Sequence, residues 1–137
     1  MNTEEKNTVE IAETATLETT EIPIQYPTAP DAEGFYIEDA EQQEVGVLTK
    51  EYENGSKVKK VTLSNGNTAI IRMLKGRDFV EAKKRMQADN TLDMETVGMA
   101  LATKINDKKQ PPEYYLDDLY QNDYVLLFMA YGYLNLQ

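Results

Sequence analysis

The sequence predicts a small α+β domain, mainly α: a short antiparallel β-hairpin followed by three to four helices, behind an acidic N-terminal arm. Three observations lead there. Asn65-Gly66 separates two runs of β-branched and aliphatic residues, Lys57–Ser64 and Asn67–Leu74. Beyond them, apolar residues recur at helical spacing. Charge is also divided: residues 1–56 hold 14 Asp/Glu and 2 Lys, whereas residues 57–137 hold 10 Asp/Glu and 12 Lys/Arg. These observations assign the arm to residues 1–56, with a net charge of −12, and the compact domain to residues 57–137, with a net of +2.

The arm opens on alternating Thr, Glu and Ala, as in Glu13-Thr14-Ala15-Thr16, and continues through Pro23, Pro27 and Pro30. Proline breaks helices and favours extended chain, and so few apolar groups cannot offset the entropy of ordering. A largely flexible, solvated arm is expected. The alternative is a linear segment that docks on a partner or on the basic residues of its own domain. Only Gly34-Phe35-Tyr36-Ile37 and Val45-Gly46-Val47-Leu48 have enough apolar content to pack, and the second reads as an extra strand.

Asn-Gly between β-branched runs signals a hairpin, because a two-residue type I′ turn needs positive φ at both central positions. That turn would pair Leu63 with Thr68 and Val61 with Ile70, leaving Ala69, Ile71 and Met73 on the other face with Lys60 and Thr62. A hairpin alone is marginal in water, so it must lean on the helices downstream. Lys75-Gly76-Arg77-Asp78 starts a helix, with Asp78 complementing the dipole in the first turn. This helix would bury Phe79, Ala82 and Met86 and expose Lys83, Lys84 and Arg85, a solvated basic face rather than a nucleic-acid patch. Asn90 is the expected N-cap of a second helix, with Asp93 in the capping-box position. Met94, Val97, Gly98, Leu101, Ala102 and Ile105 form its apolar stripe. Gly98 costs about 1 kcal/mol against Ala there, so it is expected to admit a closely approaching element.

Asn106–Gln110 read as a polar loop, and Pro111-Pro112 lead into a short helix. A longer last helix is expected from about Gln121 to Leu134. Between Tyr124 and Leu134 every residue except Gly132 is apolar or aromatic, so this helix is apolar nearly all round. It is either a central core helix or an interface, for self-association or a partner helix. Tyr124, Leu127, Phe128 and Tyr131 share one face, whose larger volume suits a core. Val125, Met129 and Tyr133 lie largely on another, and with Leu136 they are the candidate partner-binding residues.

The chain has no Cys, His or Trp. Disulfides, thiol or Ser-His chemistry and Cys/His zinc sites are therefore excluded. No run of 18 apolar residues exists and the first residues are acidic, so neither a spanning helix nor a signal peptide is expected. A net charge of −10 disfavours nucleic acid as a partner. Asp117, Asp118 and Asp123 do not converge on one side of a helix, so capping or solvation is their expected use. No catalytic, cofactor-binding or metal-ligating residue is assigned.

The stretch Val61-Thr-Leu-Ser-Asn-Gly66, followed by Ile70-Ile-Arg-Met-Leu-Lys-Gly-Arg-Asp78, resembles the small tail assembly chaperones of Mu-like and related tailed phages. In that family a "x-L-x-[DN]-G" hairpin precedes a basic strand and "Leu-x-Gly-[RK]-[DE]" leads into a helix. A family-like "Leu-[ST]-x-x-Asp" start before a hydrophobic last helix is similar to Leu119-Tyr120-Gln121-Asn122-Asp123. The resemblance spans roughly Lys57 to Leu136. It departs at Tyr120, where Ser or Thr is usual, and in the length of the arm. It implies a non-enzymatic protein of the host bacterial cytoplasm that binds the tape measure protein, keeps it soluble and helps recruit tail tube protein. The rival classes are a structural tail or baseplate adaptor of the virion, and a regulatory protein whose acidic arm mimics a nucleic-acid surface.

Overall fold

Backbone pairing, more than helix periodicity, organises this chain. The computed structural model describes residues 22–136. In chain order the elements are α1 (Ala40–Val45), β1 (Leu48–Glu51), β2 (Lys57–Thr62), β3 (Thr68–Arg72), α2 (Gly76–Ala88), α3 (Met94–Ala102), β4 (Thr103–Ile105), β5 (Lys108–Lys109), a π-helical turn (Tyr114–Asp118) and α4 (Gln121–Asn135). All five strands form one antiparallel sheet in the order β1-β2-β3-β4-β5. The expected short hairpin followed by helices is therefore corrected to a five-stranded meander with helices packed on it.

Two misread segments account for the difference. First, β1 lies in the stretch assigned to the arm, and it pairs Leu48 with Lys60 and Lys50 with Val58. The boundary drawn at residue 56/57 falls in the β1–β2 connection, where the Tyr52 amide donates to the Ser56 carbonyl. Upstream of it, Tyr36 exchanges backbone hydrogen bonds of 2.8 Å with Thr49, and Phe35 and Val47 are buried. Second, the chain leaves α3 directly into β4, whose Ile105 pairs with Ala69. Ile105 sits at helical spacing from Leu101 and also at strand spacing from Thr103. Pairing with β3 decides between them.

The β2–β3 turn also differs from expectation. Thr62 pairs with Thr68 and Val61 with Ala69, one residue away from the register drawn from a two-residue turn. The Gly66 amide donates to the Leu63 carbonyl at 2.9 Å, and the Leu63 amide to the Asn67 carbonyl at 2.8 Å. The loop is thus Ser64-Asn65-Gly66, with Gly66 at φ 88°. This is the three-residue hairpin loop in which glycine takes the left-handed position after a tight turn. The two-residue loop with two positive φ values occurs instead between β4 and β5, at Asn106 (47°) and Asp107 (69°).

This register sorts the side chains into two faces. Thr49, Lys59, Val61, Ala69, Ile71, Thr103 and Ile105 point inward and are buried. Against them lie Leu127, Ala130 and Tyr131 of α4, together with Met99, Ala100 and Tyr115. α3 stands between α4 and α2, which meets it through Ala82, Val97 and Leu101. The outward face carries Leu48, Lys60, Ile70, Lys104 and Lys109 in one cross-strand row, and Lys50, Val58 and Arg72 in the next.

Local capping places the helices. α3 begins after Asp93, whose carboxylate accepts from the Thr96 amide at 2.7 Å, so Asp93 and not Asn90 is the N-cap. α2 is tied to β3 by Asp78, which accepts from both terminal nitrogens of Arg72 at 3.0 Å and from the Lys75 amide at 2.8 Å. The Arg72 hydrogen bonds, with the Lys75 amide beside them, hold the Asp78 pKa down at about 2. The expected short third helix is a π-helical turn, and α4 begins at Gln121 as expected.

Candidate partner-binding surface

The outward side of α4 is exposed because its inward side is held in place at several points. At its start, buried Asp123 accepts from the Ser64 amide at 3.0 Å and from the Ser64 hydroxyl at 2.6 Å. At its end, Asn135 accepts from the Leu74 amide at 2.7 Å and donates to the Arg72 carbonyl at 3.2 Å. Both clamps grip the β2–β3 hairpin. In between, Leu127 and Ala130 are fully buried, and the Tyr131 ring passes over Gly98. An added Cβ on Gly98 would lie 2.5 Å from the Tyr131 hydroxyl, so glycine is what lets α3 and α4 approach.

With that face fixed, the four candidate residues fall as follows. Val125 is 45 % exposed and Leu136 57 %, while Met129 and Tyr133 are half-buried. Met129, Tyr133 and Leu136 are brought together in an open groove of about 320 Å³, completed by Phe128, Gly132 and Glu41. Val125 lies one turn before Met129 on the same side and does not line this groove. Tyr124 and Phe128, expected in the core, are only partly buried. The Tyr124 hydroxyl bonds the Thr96 hydroxyl at 2.6 Å.

One wall of the groove comes from a segment read as arm. The Tyr133 hydroxyl donates to Glu41 of α1 at 2.9 Å. Burial, then the Glu41 hydrogen bond and charge, push the Tyr133 pKa up to about 12, so the phenol stays protonated. Behind it lies Lys59, 1 % exposed, with its ammonium 5.8 Å from the Tyr133 ring centroid. That ammonium donates to Gln42 Oε1 at 2.8 Å and Thr49 Oγ1 at 2.7 Å, and it pairs with Glu38 at 3.3 Å. Burial lowers the Lys59 pKa, and Glu38 opposes the shift. Glu38 itself is lowered despite its burial, because Lys57 and Lys59 both face it. One lysine thus joins α1, β1, β2 and α4.

A second apolar surface was missed from sequence. Phe79, expected to be buried, is 56 % exposed, and Val80 is 52 % exposed. Phe79, Lys83, Met86, Gln87 and Met94 line a groove of about 480 Å³ at the α2–α3 junction. The reason is geometric. α2 reaches α3 mainly through small Ala82, which leaves the flanking Phe79 outside. The amphipathic pattern marks a helix but not which part of a wide stripe is covered.

Asp117 and Asp118 are exposed while Asp123 is buried, so the three do not form a cluster. Among the described residues, no group of three or more acidic side chains is arranged to hold a metal ion. No helix among them is long and apolar enough to cross a membrane. Compared with protein-family models, curated proteins and solved structures, the chain gives no match.

Proposed function

We propose that this protein is a non-enzymatic tail assembly chaperone: in the host bacterial cytoplasm it holds apolar helical stretches of a tape measure protein and helps bring tail tube subunits to it. The observation that carries this reading is the outward side of α4. It presents Val125, Met129, Tyr133 and Leu136 in an open, largely apolar surface, on a helix whose other side is clamped to the sheet. A flexible Met beside aromatic rings accommodates apolar helices of varied sequence, as a chaperone for a long, variable partner requires. The Leu63–Gly66 and Gly76–Asp78 motifs that resemble the family sit in the elements that orient α4 and α2. Asp123, the acidic residue of the third motif, fixes the start of α4 on the hairpin loop.

Tyr133 is tied to Glu41, so the sharper test uses residues without such bonds. The double variant Val125→Lys/Met129→Lys is expected to keep the wild-type melt and lose co-purification with a co-expressed tape measure protein. Retained co-purification with an intact melt removes α4 from the binding surface.

A further inference from the structure

The outward face of the sheet is basic in an acidic protein. Its central row runs Leu48, Lys60, Ile70, Lys104 and Lys109, and Lys50 and Arg72 lie in the next row. Arg72 is matched by Asp78. Among the described residues, Lys50, Lys60, Lys104 and Lys109 have no carboxylate within ion-pair distance. Two rings lie against these lysines near the β1 edge: Phe35, with the Lys60 ammonium 4.5 Å from its centroid and that of Lys50 at 5.8 Å, and Tyr52, with the Lys50 ammonium at 5.4 Å. α4 packs on the opposite side, and α2 meets this side through Asp78 at Arg72, beside buried Val58. Ile70 is half-buried in the middle of the row, and Lys104 and Lys109 are exposed.

Outside the described residues the chain carries the complementary charge. Residues 1–21 contain Glu4, Glu5, Glu10, Glu13, Glu18 and Glu21 against Lys6 alone, a net of −5. The described chain begins at Ile22, its Tyr26 hydroxyl reaches Gln43 of α1, and from Thr28 it lies beside the β1 edge, where the Thr28 amide donates to the Ile37 carbonyl at 2.9 Å and Tyr36 pairs with Thr49. Leu48, at that edge, is the first residue of the central row. Extended chain covers up to roughly 3.3 Å per residue, so this segment spans far more than the sheet, whose strands lie about 4.8 Å apart. We propose that residues 1–21 of the same chain dock across the outward face, placing their glutamates on Lys60, Lys104 and Lys109 and screening that face from other anions. A carboxylate spacing of three to five residues suits an extended crossing of several strands, and such solvent-facing pairs weaken as salt rises.

The full chain has no cysteine, so a single nitroxide label introduced at Thr8→Cys is site-specific. Amide NMR signals of the labelled chain should be broadened at Lys60, Ile70, Lys104 and Lys109 and spared on the solvent side of α2 around Lys83–Gln87. The broadening should fall several-fold on going from low salt to about 0.5 M, where the screening length is only a few ångströms. It should fall likewise in Lys104→Glu/Lys109→Glu, two exposed positions whose amide spectrum reports directly that the fold is kept. Equal broadening on α2, or none on the sheet, overturns the proposal. So does broadening seen only on unlabelled chains mixed with labelled ones, which would make the occupant a second copy.

Discussion

At the scale of single residues, the positions that shape the surface are those that hold α4 from behind. Gly98 is the clearest. Helix propensity alone favours Ala there by about 1 kcal/mol, but the added methyl meets the Tyr131 hydroxyl at 2.5 Å. Overpacking of this kind costs about 1–3 kcal/mol, so Gly98→Ala is expected to lower stability in denaturant unfolding. In a Tyr131→Phe background the obstructing oxygen is gone and the ring carbon at 3.2 Å is the tightest remaining neighbour, so the same substitution should cost less. Additive effects in the two backgrounds would place the tight contact elsewhere. Asp78 supplies a pH signature. Its carboxyl is held at about 2 in the folded chain, below its ordinary value of 3.8. A depressed folded value means stability that is complete above the unfolded pKa and lost as pH falls from about 4 through 2. One such residue is worth about 1–2 kcal/mol, after allowance for a partly exposed Arg72. Asp78→Asn is expected to lower stability at neutral pH by that order and to flatten the acid limb between pH 4 and 2. An unchanged acid limb would contradict the Arg72 pairing.

At the scale of elements, local chemistry in the sequence was legible and long-range pairing was not. Asn65-Gly66 marks a hairpin, and the start of α4 at Gln121 follows from the apolar run after a polar break. The same dipeptide does not reveal whether the loop has two or three residues, and that difference shifts the register by one. The observed shift puts Val61, Ala69 and Ile71 on one buried face, which the burial of all three requires. An extra strand was expected at Val45–Leu48, short of where β1 runs, and β4 was hidden, because four and three residues are too short for periodicity to speak and β4 continues a helical stripe without a break. For the candidate surface, spacing on α4 found Leu127 and Tyr131 on its buried side but placed Tyr124 and Phe128 there as well, and Phe128 lines the groove. Glu41 and the apolar groove on α2 come from packing that no local pattern encodes. The turn itself is testable. Gly66 has φ 88°, and Gly66→Val places a β-branched side chain in the left-handed region, costing about 1–2 kcal/mol or more. The Asn65→Ala variant keeps the glycine and should cost less. A melt unchanged by Gly66→Val would contradict the three-residue loop.

At the scale of the whole molecule, one side of the sheet carries most of the helical packing and the other a row of lysines with no ion-pair partner among the described residues, with the first strand drawn from the acidic part of the chain. Lys59 shows why that half is not merely an appendage: its ammonium is satisfied by Glu38, Gln42 and Thr49, all upstream of residue 56. The groove on α4 shares this origin through Glu41. The proposed function puts the partner on the outward side of α4 and not in the groove on α2. A photo-cross-linking amino acid placed at Met129 in one sample and at Lys83, which lines the α2 groove, in another separates the two surfaces, in cells that co-express the tape measure protein. Adducts with that protein from Met129 and none from Lys83 are the expected result. Adducts from Lys83 alone, or from neither position while the two proteins still co-purify, would contradict it.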